Sequence, residues 1–574
     1  MLQTPSQNRN LRTFWRSLSQ WDRIGVVLLF IGASLQIVSM LALPPEGDAP
    51  NHIYRIGMLH SLWQHGEYYP RWLPECFSGY GSPAFYFYPP LAYFAAGVLG
   101  TLAPSFSAVG IFKLTCFFFS LLSFVTFWVF LKSKGSIGWR ATFGAVLYAF
   151  APYRYLDTNV RGALAEHAAF VWFPFILWGI DQIYHETKSA RYGLIAAAIG
   201  WAGVLATNIP ASVVVLCGIV VFWISMHSRD NLRRSWLVLA SLAVGSLLAA
   251  TSVLPAIQFG SSIDQTMFAQ TSYRFGESNT PLLDIFSGRN ITINLFGVLS
   301  AVSAIFLLIT MCRKKKTEID KPFPANSVRI IGALRWVVLL VLVVQIPFLS
   351  GLLFKYFPPA ILVQFPWRFD MLLVPIVALL WARPTDSRKS RAVSYIVAVW
   401  MIISIPLMFA KASGVSVQHH IEDPAISTWE YIVPRWAHST AQPIDTSMKQ
   451  YADQPEAISD NLGKDESILV SKRQDYADSL STDFHVTHMI VFHRFFWPEW
   501  SIRVDGQPVP VTADSIGRLA ALIPPGIHKT VVQLRKSTSE YAGEWTSLLT
   551  AIVLLLSLIV IKGSRRETVV SPQE

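Results

Sequence analysis

The sequence predicts an α-helical polytopic membrane protein, with about twelve transmembrane helices and a C-terminal extracytoplasmic β-sandwich inserted before the last of them. Three observations carry this. Of 574 residues, 52% are hydrophobic and only 14% charged, where soluble domains average about 25% charged. The apolar residues gather in runs close to the ~20 needed to cross a ~30 Å hydrocarbon layer. Basic residues sit at the ends of those runs: Lys132, Lys134 and Arg140; Arg229, Arg233 and Arg234; Arg313 to Lys316. This is the pattern of short cytoplasmic loops. It accounts for the net charge of +11 and makes the lipid bilayer, with no nucleic acid, the expected partner.

With the basic clusters inside, crossings fall near 24–43, 108–131, 140–153, 167–184, 193–207, 210–226, 235–254, 291–311, 335–354, 370–383, 393–410 and 545–562. The first run follows Arg9, Arg12, Arg16 and Arg23 as a signal peptide would. It is as long as a full span and no small-residue cleavage site follows, so an uncleaved first helix is expected. Residues 1–23 and 563–574 then lie in the cytoplasm of a multi-pass protein of the plasma (inner) membrane. Pro90 to Ala103 is apolar but short and bounded by Pro89, Pro90 and Pro104. Counting it as a crossing would turn later basic loops outward, so it reads as a half-span or interfacial helix.

Two parts of the chain face outward in this scheme. Within the membrane domain 24–410, the loop 44–107 emerges first. Residues 411–544 are too polar to span, and their second half alternates as strands do in "HMIVFHRFF", "WSIRVDG" and "KTVVQLRKS", with "DGQP" and "PPGI" as turns. The four cysteines are scattered and imply neither a disulfide framework nor a metal site.

The outward loops hold a surplus of ionisable groups, which are costly beside apolar helices. The first brings Glu46, Asp48, His52 and Arg55, followed by "ECFSGYGSPAFYFYPPLAY"; the second brings Arg154, Asp157, Arg161, Glu166 and His167; a later one brings Lys355, Gln364, Arg368 and Asp370. Each has a plainer reading. Asp48 lies two residues before Pro50, which suits a helix start whose dipole favours a carboxylate. Trp72, Tyr86, Tyr88 and Tyr93 fit an interfacial aromatic belt. Arg154, Arg161 and Arg368 fit either snorkelling to headgroups or a phosphate pocket. No histidine pair has HxxxH or HxH spacing, so no metal is expected.

The segment "GDAPNHIYRIGMLHSLWQHGEYYPRWLPECFSGYGSPAFYFYPPLAY" resembles the first outer loop of YfhO-like membrane proteins. It is also similar to the membrane family labelled "6-pyruvoyl-tetrahydropterin synthase related". The segments "RGALAEH" and "FFWPEWSIRVDGQPVPV" fit the same likeness, which spans nearly the whole chain. Both families resemble the GT-C glycosyltransferases, which take sugars from polyprenyl-phosphate donors. The pterin chemistry in the label needs a histidine metal site and a soluble fold, and the sequence offers neither.

The resemblance implies a GT-C-like fold and an inverting glycosyltransferase acting on the outer face. A polyprenyl-phosphate-linked sugar would be the donor, and a lipid, glycan or protein the acceptor. Asp48 matches the acidic residue that follows the first helix in such enzymes, with Glu46 its rival as base. Arg161, Arg154 and Arg368 are implied as the cations that meet the lipid phosphate, and Glu166 as a group that orients Arg161. His52, Arg55, Tyr80, Tyr88 and His167 complete the expected substrate-binding set. Glu46 and Asp48 are separated by Gly47 rather than adjacent, which points to a reaction without metal or other cofactor. The alternatives are a flippase for lipid-linked saccharide, which expects charges buried mid-span, whereas few basic residues fall inside the spans, Lys113 and, at an end, Arg335, and a non-catalytic scaffold for envelope assembly.

Overall fold

The structure, a computed structural model, describes residues 19–42, 47–136, 139–185, 190–228, 231–264, 291–312, 325–357, 362–363, 365–382, 432–437, 457–459 and 462–567, with the single residues 359, 396, 400 and 455. Glu46, Gln364 and the expected crossing at 393–410, apart from residues 396 and 400, lie outside them. What is described is mostly helical, with a β-region near the C-terminus.

The chain enters through α1 (Gln20–Ala42), whose first turn is fixed by Ser19 and Asp22. The Asp22 amide donates to Ser19 Oγ at 3.2 Å, a serine cap of an otherwise orphaned helix donor. The Asp22 carboxylate is buried and gathers Lys132 at 3.1 Å, Thr142 at 3.0 Å and the Trp128 indole at 3.3 Å. One charge thus ties α1 to α4 (Ala108–Ser133) and α5 (Trp139–Ala149).

Between α1 and α4 lie α2 (Ala49–Gln64) and α3 (Leu91–Leu102). The 12 residues of α3 rise only about 18 Å, well short of the ~30 Å core. Its length is that of the half-span expected from its flanking prolines.

The next helices are α6 (Phe173–His185), α7 (Ala190–Thr207) and α8 (Ile209–Met226). Helices α6 and α7 touch through glycine: a Cβ on Gly179 would sit 2.5 Å from the Ala197 amide nitrogen and the Gly193 carbonyl oxygen. Small residues allow this close approach, which in lipid replaces hydrophobic driving force. Asn208 caps α8 by accepting from the Ala211 amide at 2.8 Å.

Several expected single crossings are broken instead. The one at 140–153 is interrupted at 150–151, and that at 167–184 at 170–172. Helix α9 (Leu232–Leu248) and α10 (Ala250–Phe259) meet at a 77° bend. After α11 (Ile291–Cys312), the segment read as 335–354 is two helices, α12 (Ala325–Val344) and α13 (Pro347–Tyr356). The cause is Pro347, which holds Ile346 extended at ψ 117°, as the residue before a proline prefers. Helix α14 (Leu373–Ala382) follows a 3-10 turn, Pro366–Leu372. Among the described residues, four helices are long and apolar enough to span a membrane, five if the bent pair counts as one. The expected count of twelve is not reached among them.

Among the described residues the β-region has nine strands, β1 (Ala457–Ile458), β2 (Ser467–Gln474), β3 (Ala477–Phe484), β4 (His488–Phe495), β5 (Trp500–Val504), β6 (Gln507–Val509), β7 (Val511–Ala513), β8 (Arg518–Ile523) and β9 (Gly526–Leu534). They form two antiparallel sheets, β1-β4-β8-β7 and β2-β3-β9-β5-β6. Strands β3 (Ala477–Phe484) and β9 (Gly526–Leu534) pair over eight positions, from Ala477 opposite Gln533 to Phe484 opposite Gly526. The alternation read from sequence is real. In β3, Leu480, Thr482 and Phe484 point inward, and Ile490 and Phe492 of β4 (His488–Phe495) meet them from the other sheet in one core. Within that core Arg494 makes a forked pair with Asp478, both contacts at 2.7 Å, and stacks on Trp500.

The last helix, α15 (Thr538–Glu567), starts seven residues before the expected 545. Ser537 and Glu540 form a reciprocal cap: the Glu540 amide donates to Ser537 Oγ at 3.1 Å and the Ser537 amide to the Glu540 carboxylate at 2.8 Å. The polar stretch assigned to the β-region is therefore the first turns of a helix.

Removing one partner of a buried ion pair costs about 3–5 kcal/mol, because the other charge is left alone in low dielectric. Arg494→Met is therefore expected to lower the melting temperature of the β-region in the full chain by more than about 10 °C. Scanning fluorimetry on the tryptophans checks this; an unchanged transition would contradict the role given to the pair.

Candidate active site

Asp48 and Arg161 come together because the backbone before α2 is pinned to residue 161. Gly47 adopts φ +63°, and a Cβ there would lie 2.3 Å from the Arg161 carbonyl oxygen. The Asp48 amide donates to that same oxygen at 2.5 Å. Pro50 then starts α2. Asp48 occupies the N-cap position, yet its side chain makes no capping hydrogen bond. Its carboxylate is 52% exposed and lies 3.7 Å from Nη2 of Arg161. The plain helix-start reading therefore accounts for the position of Asp48 but not for its carboxylate.

Beneath Asp48 the charges are dry. Arg161 Nη1 donates to Asp157 at 2.7 Å and to Glu166 at 2.9 Å, and Arg368 Nε lies 3.1 Å from the same Glu166 oxygen. Tyr153 donates its hydroxyl to the other Glu166 oxygen. The Arg161 guanidinium also covers the Trp367 ring at 4.8 Å. Asp157, Glu166, Arg161 and Arg368 are all buried. The loop Pro152–Ala169 brings Tyr153, Asp157, Arg161 and Glu166 to one place by a π-helical turn at Leu156–Val160, a rare element often found at functional sites. Arg368 and Trp367 come from the 3-10 turn before α14. Burial alone would raise the Glu166 pKa, but the charges of Arg161 and Arg368 with the Tyr153 hydrogen bond bring it below the usual value. Asp157 is pushed up by burial and then by the charge of Glu166.

Two further clusters adjoin. His52 and Arg55, one turn apart on α2, both reach the Tyr93 hydroxyl, at 2.6 and 3.2 Å. Arg55 also covers the Tyr88 ring at 4.2 Å. Arg154 and His167 lie 3.2 Å apart, with Ser123 3.2 Å from Arg154 and Ser120 3.1 Å from His167.

Of the residues singled out from sequence, Asp48, Arg161, Glu166 and Arg368 thus form one connected network. His52, Arg55 and Tyr88 form a second, and Arg154 and His167 a third. Tyr80 stands apart: it stacks on His493 of β4 at 4.0 Å, and its carbonyl accepts from the Phe495 amide at 2.8 Å. The interfacial belt expected of Trp72, Tyr86 and Tyr93 is overturned by their burial, at most 2% exposed. Snorkelling of Arg154, Arg161 and Arg368 is overturned likewise, since none exceeds 7% exposure. Tyr153 and Trp367 carried no signal of their own in the sequence beyond standing next to Arg154 and Arg368. Among the described residues, no group of three or more His, Cys, Asp or Glu side chains is placed to hold a metal ion.

These features define a helical membrane protein with an exposed carboxylate set on a buried ion network. Residues 85–414, more than half of the chain, match the profile of the family described as 6-pyruvoyl-tetrahydropterin synthase related domain, a membrane protein. The chain belongs to that family. Asp48, His52 and Arg55 precede the matched segment. No curated protein matches the chain. Two cryo-EM structures of the arabinofuranosyltransferase AftD from mycobacteria, one of a mutant, are similar at 18% identity, with TM-scores of 0.39 and 0.40. The similarity covers 67% and 66% of this chain, which spans only 26% and 27% of theirs.

His52 is buried and its pKa is held well below 6.5, first by that burial and then by the charges of Arg55 and Arg161. A base with a depressed folded pKa takes up its proton more readily when unfolded, so the stability it permits is present above pH 6.5 and falls as pH drops below it. Melting temperature is expected to fall between pH 7 and 5, and to fall less in His52→Gln. Equal slopes for the two proteins would remove His52 from the account.

Proposed function

We propose that this protein is a membrane glycosyltransferase that moves a sugar from a polyprenyl-phosphate-linked donor to a hydroxyl acceptor, at the membrane face where the β-region lies. The observation that carries the proposal is the carboxylate of Asp48, half exposed and 3.7 Å from a guanidinium that is itself fixed by two buried carboxylates. A positioned base of this kind supports attack by a hydroxyl group. Membership of a membrane family and the GT-C resemblance of the first loop support the same reading.

In the proposed step the acceptor oxygen bonds to the anomeric carbon on the face opposite the phosphate, and the carbon–oxygen bond to the phosphate breaks. The bonding pair leaves on the lipid phosphate, and the acceptor proton passes to Asp48. Arg161 has two tasks. Its Nη1 is committed to Asp157 and Glu166, while its Nη2 makes no hydrogen bond among the described residues. Nη2 faces Asp48 and is the donor proposed for the leaving phosphate, where a guanidinium is well suited. The donor would approach from the outer leaflet and the acceptor would be a lipid, glycan or protein of the cell envelope. Because Gly47 separates Glu46 from Asp48, the step is proposed without a metal ion.

Membrane vesicles carrying the protein are expected to transfer labelled sugar from polyprenyl phosphate, and Asp48→Asn to lower the rate by about 100-fold or more with unchanged protein level. Equal transfer by the two would move the base to Glu46 or Glu166. Absence of transfer by the wild type across a panel of sugar donors would overturn the proposal.

A further inference from the structure

An apolar cavity of about 430 Å³, open on one side, lies between helices of the bundle, and none of its lining residues belongs to the network around Arg161. Its walls come from α6, α8, α12 and α14, through Ile176, Ile219, Val337 and Ile376. At one end stand Phe173 and Leu372, on the site side, where Phe173 packs against Phe170. At the other end stand Ser136 and the ion pair of Lys134 with Asp181. Along α6 the distance from Phe173 to Asp181 is eight residues, about 12 Å, close to the ~15 Å depth of one leaflet of a ~30 Å core.

Two features identify the occupant. Protein interiors leave few voids larger than a water molecule, and apolar ones stay dry and take hydrocarbon. The polarity runs one way, with aromatic and aliphatic walls toward the site and a cation beside an anion at the opposite membrane face. A donor lipid with its phosphate at Arg161 would place its head at the apolar end, so it fits this cavity in the wrong sense. The geometry points to a phospholipid of the leaflet opposite to the site, with one acyl chain in the cavity. Its phosphate sits at Lys134 and the amine of a zwitterionic headgroup at Asp181. The inference goes beyond the proposed transfer and stands without it.

The probe is phosphatidylethanolamine with a diazirine midway along one acyl chain, incorporated with the full-length protein into phosphatidylethanolamine–phosphatidylglycerol nanodiscs. After irradiation, adducts are expected to concentrate on peptides of α6, α8 and α14. Ile219→Trp combined with Ile376→Trp fills the cavity and is expected to lower those adducts at least fivefold, while adducts on the lipid-exposed α15 stay constant. Should that variant not fold, Lys134→Met combined with Asp181→Leu keeps the cavity and removes the headgroup contacts, with the same loss expected. Adducts spread evenly over all helices, or undiminished in the variants, would overturn the inference. So would stronger labelling of the same peptides by a diazirine polyprenyl phosphate, which would mean a chain entering from the site.

Discussion

The structure turns on the guanidinium of Arg161. It stands between three carboxylates, with Asp157 and Glu166 at 2.7 and 2.9 Å below it and Asp48 at 3.7 Å above. Taking such charges out of water is costly, and they are tolerated only when each is paired. The pairing requires three distant parts of the chain to meet: the turn before α2, the loop Pro152–Ala169 and the turn before α14. Their convergence places the one exposed member of the network, Asp48, at the surface in a fixed orientation. In this chain the electrostatics and the tertiary fold are the same constraint.

The β-region takes part by covering the loop that follows α2. Trp72 packs against Trp497 and Trp500, at 6.2 and 5.8 Å between ring centres, and the Tyr476 hydroxyl donates to the Trp72 carbonyl at 2.7 Å. His493 lies 2.8 Å from the Ser78 carbonyl, and Ser82 donates to Ile432 at 2.7 Å. Glu540, fixed by its cap at the start of α15, meets Tyr86 at 3.3 Å and Arg71 at 3.5 Å. Trp72, Tyr80 and Tyr86 of the loop therefore contribute burial, while Tyr68 stays exposed. Tyr80, stacked against His493, ties the loop to the β-region.

Much of this was legible in the amino-acid order, and the reasons are local. The strands of the β-region show a period of two because one face is buried, and α3 is bounded by its own prolines. Asp48 stands out because a carboxylate so soon after an apolar run has few reasons to be there. The break at Pro347 was also written locally, but hydropathy averaged over it. The early start of α15 had a sequence signal in Ser537 and Glu540, three residues apart, which the polar composition of the first turns masked. Other features had no local signal. The stack of Tyr80 on His493 joins residues more than 400 apart, and the burial of Arg161 and Arg368 depends on partners from separate segments. A lone arginine beside a membrane span looks the same whether it snorkels or is buried.

The central claim is that Asp48 and Arg161 act as one unit in transfer. A double-mutant cycle on the transfer rate tests it most directly, with Asp48→Asn, Arg161→Lys and the two combined. Lysine keeps the buried charge but lacks the fork that holds two carboxylates while facing a third. If the residues act together, their effects are non-additive, and the double variant is expected to transfer no more slowly than Asp48→Asn alone. Losses that simply multiply would contradict the account and make Arg161 a structural ion pair with no hold on the base.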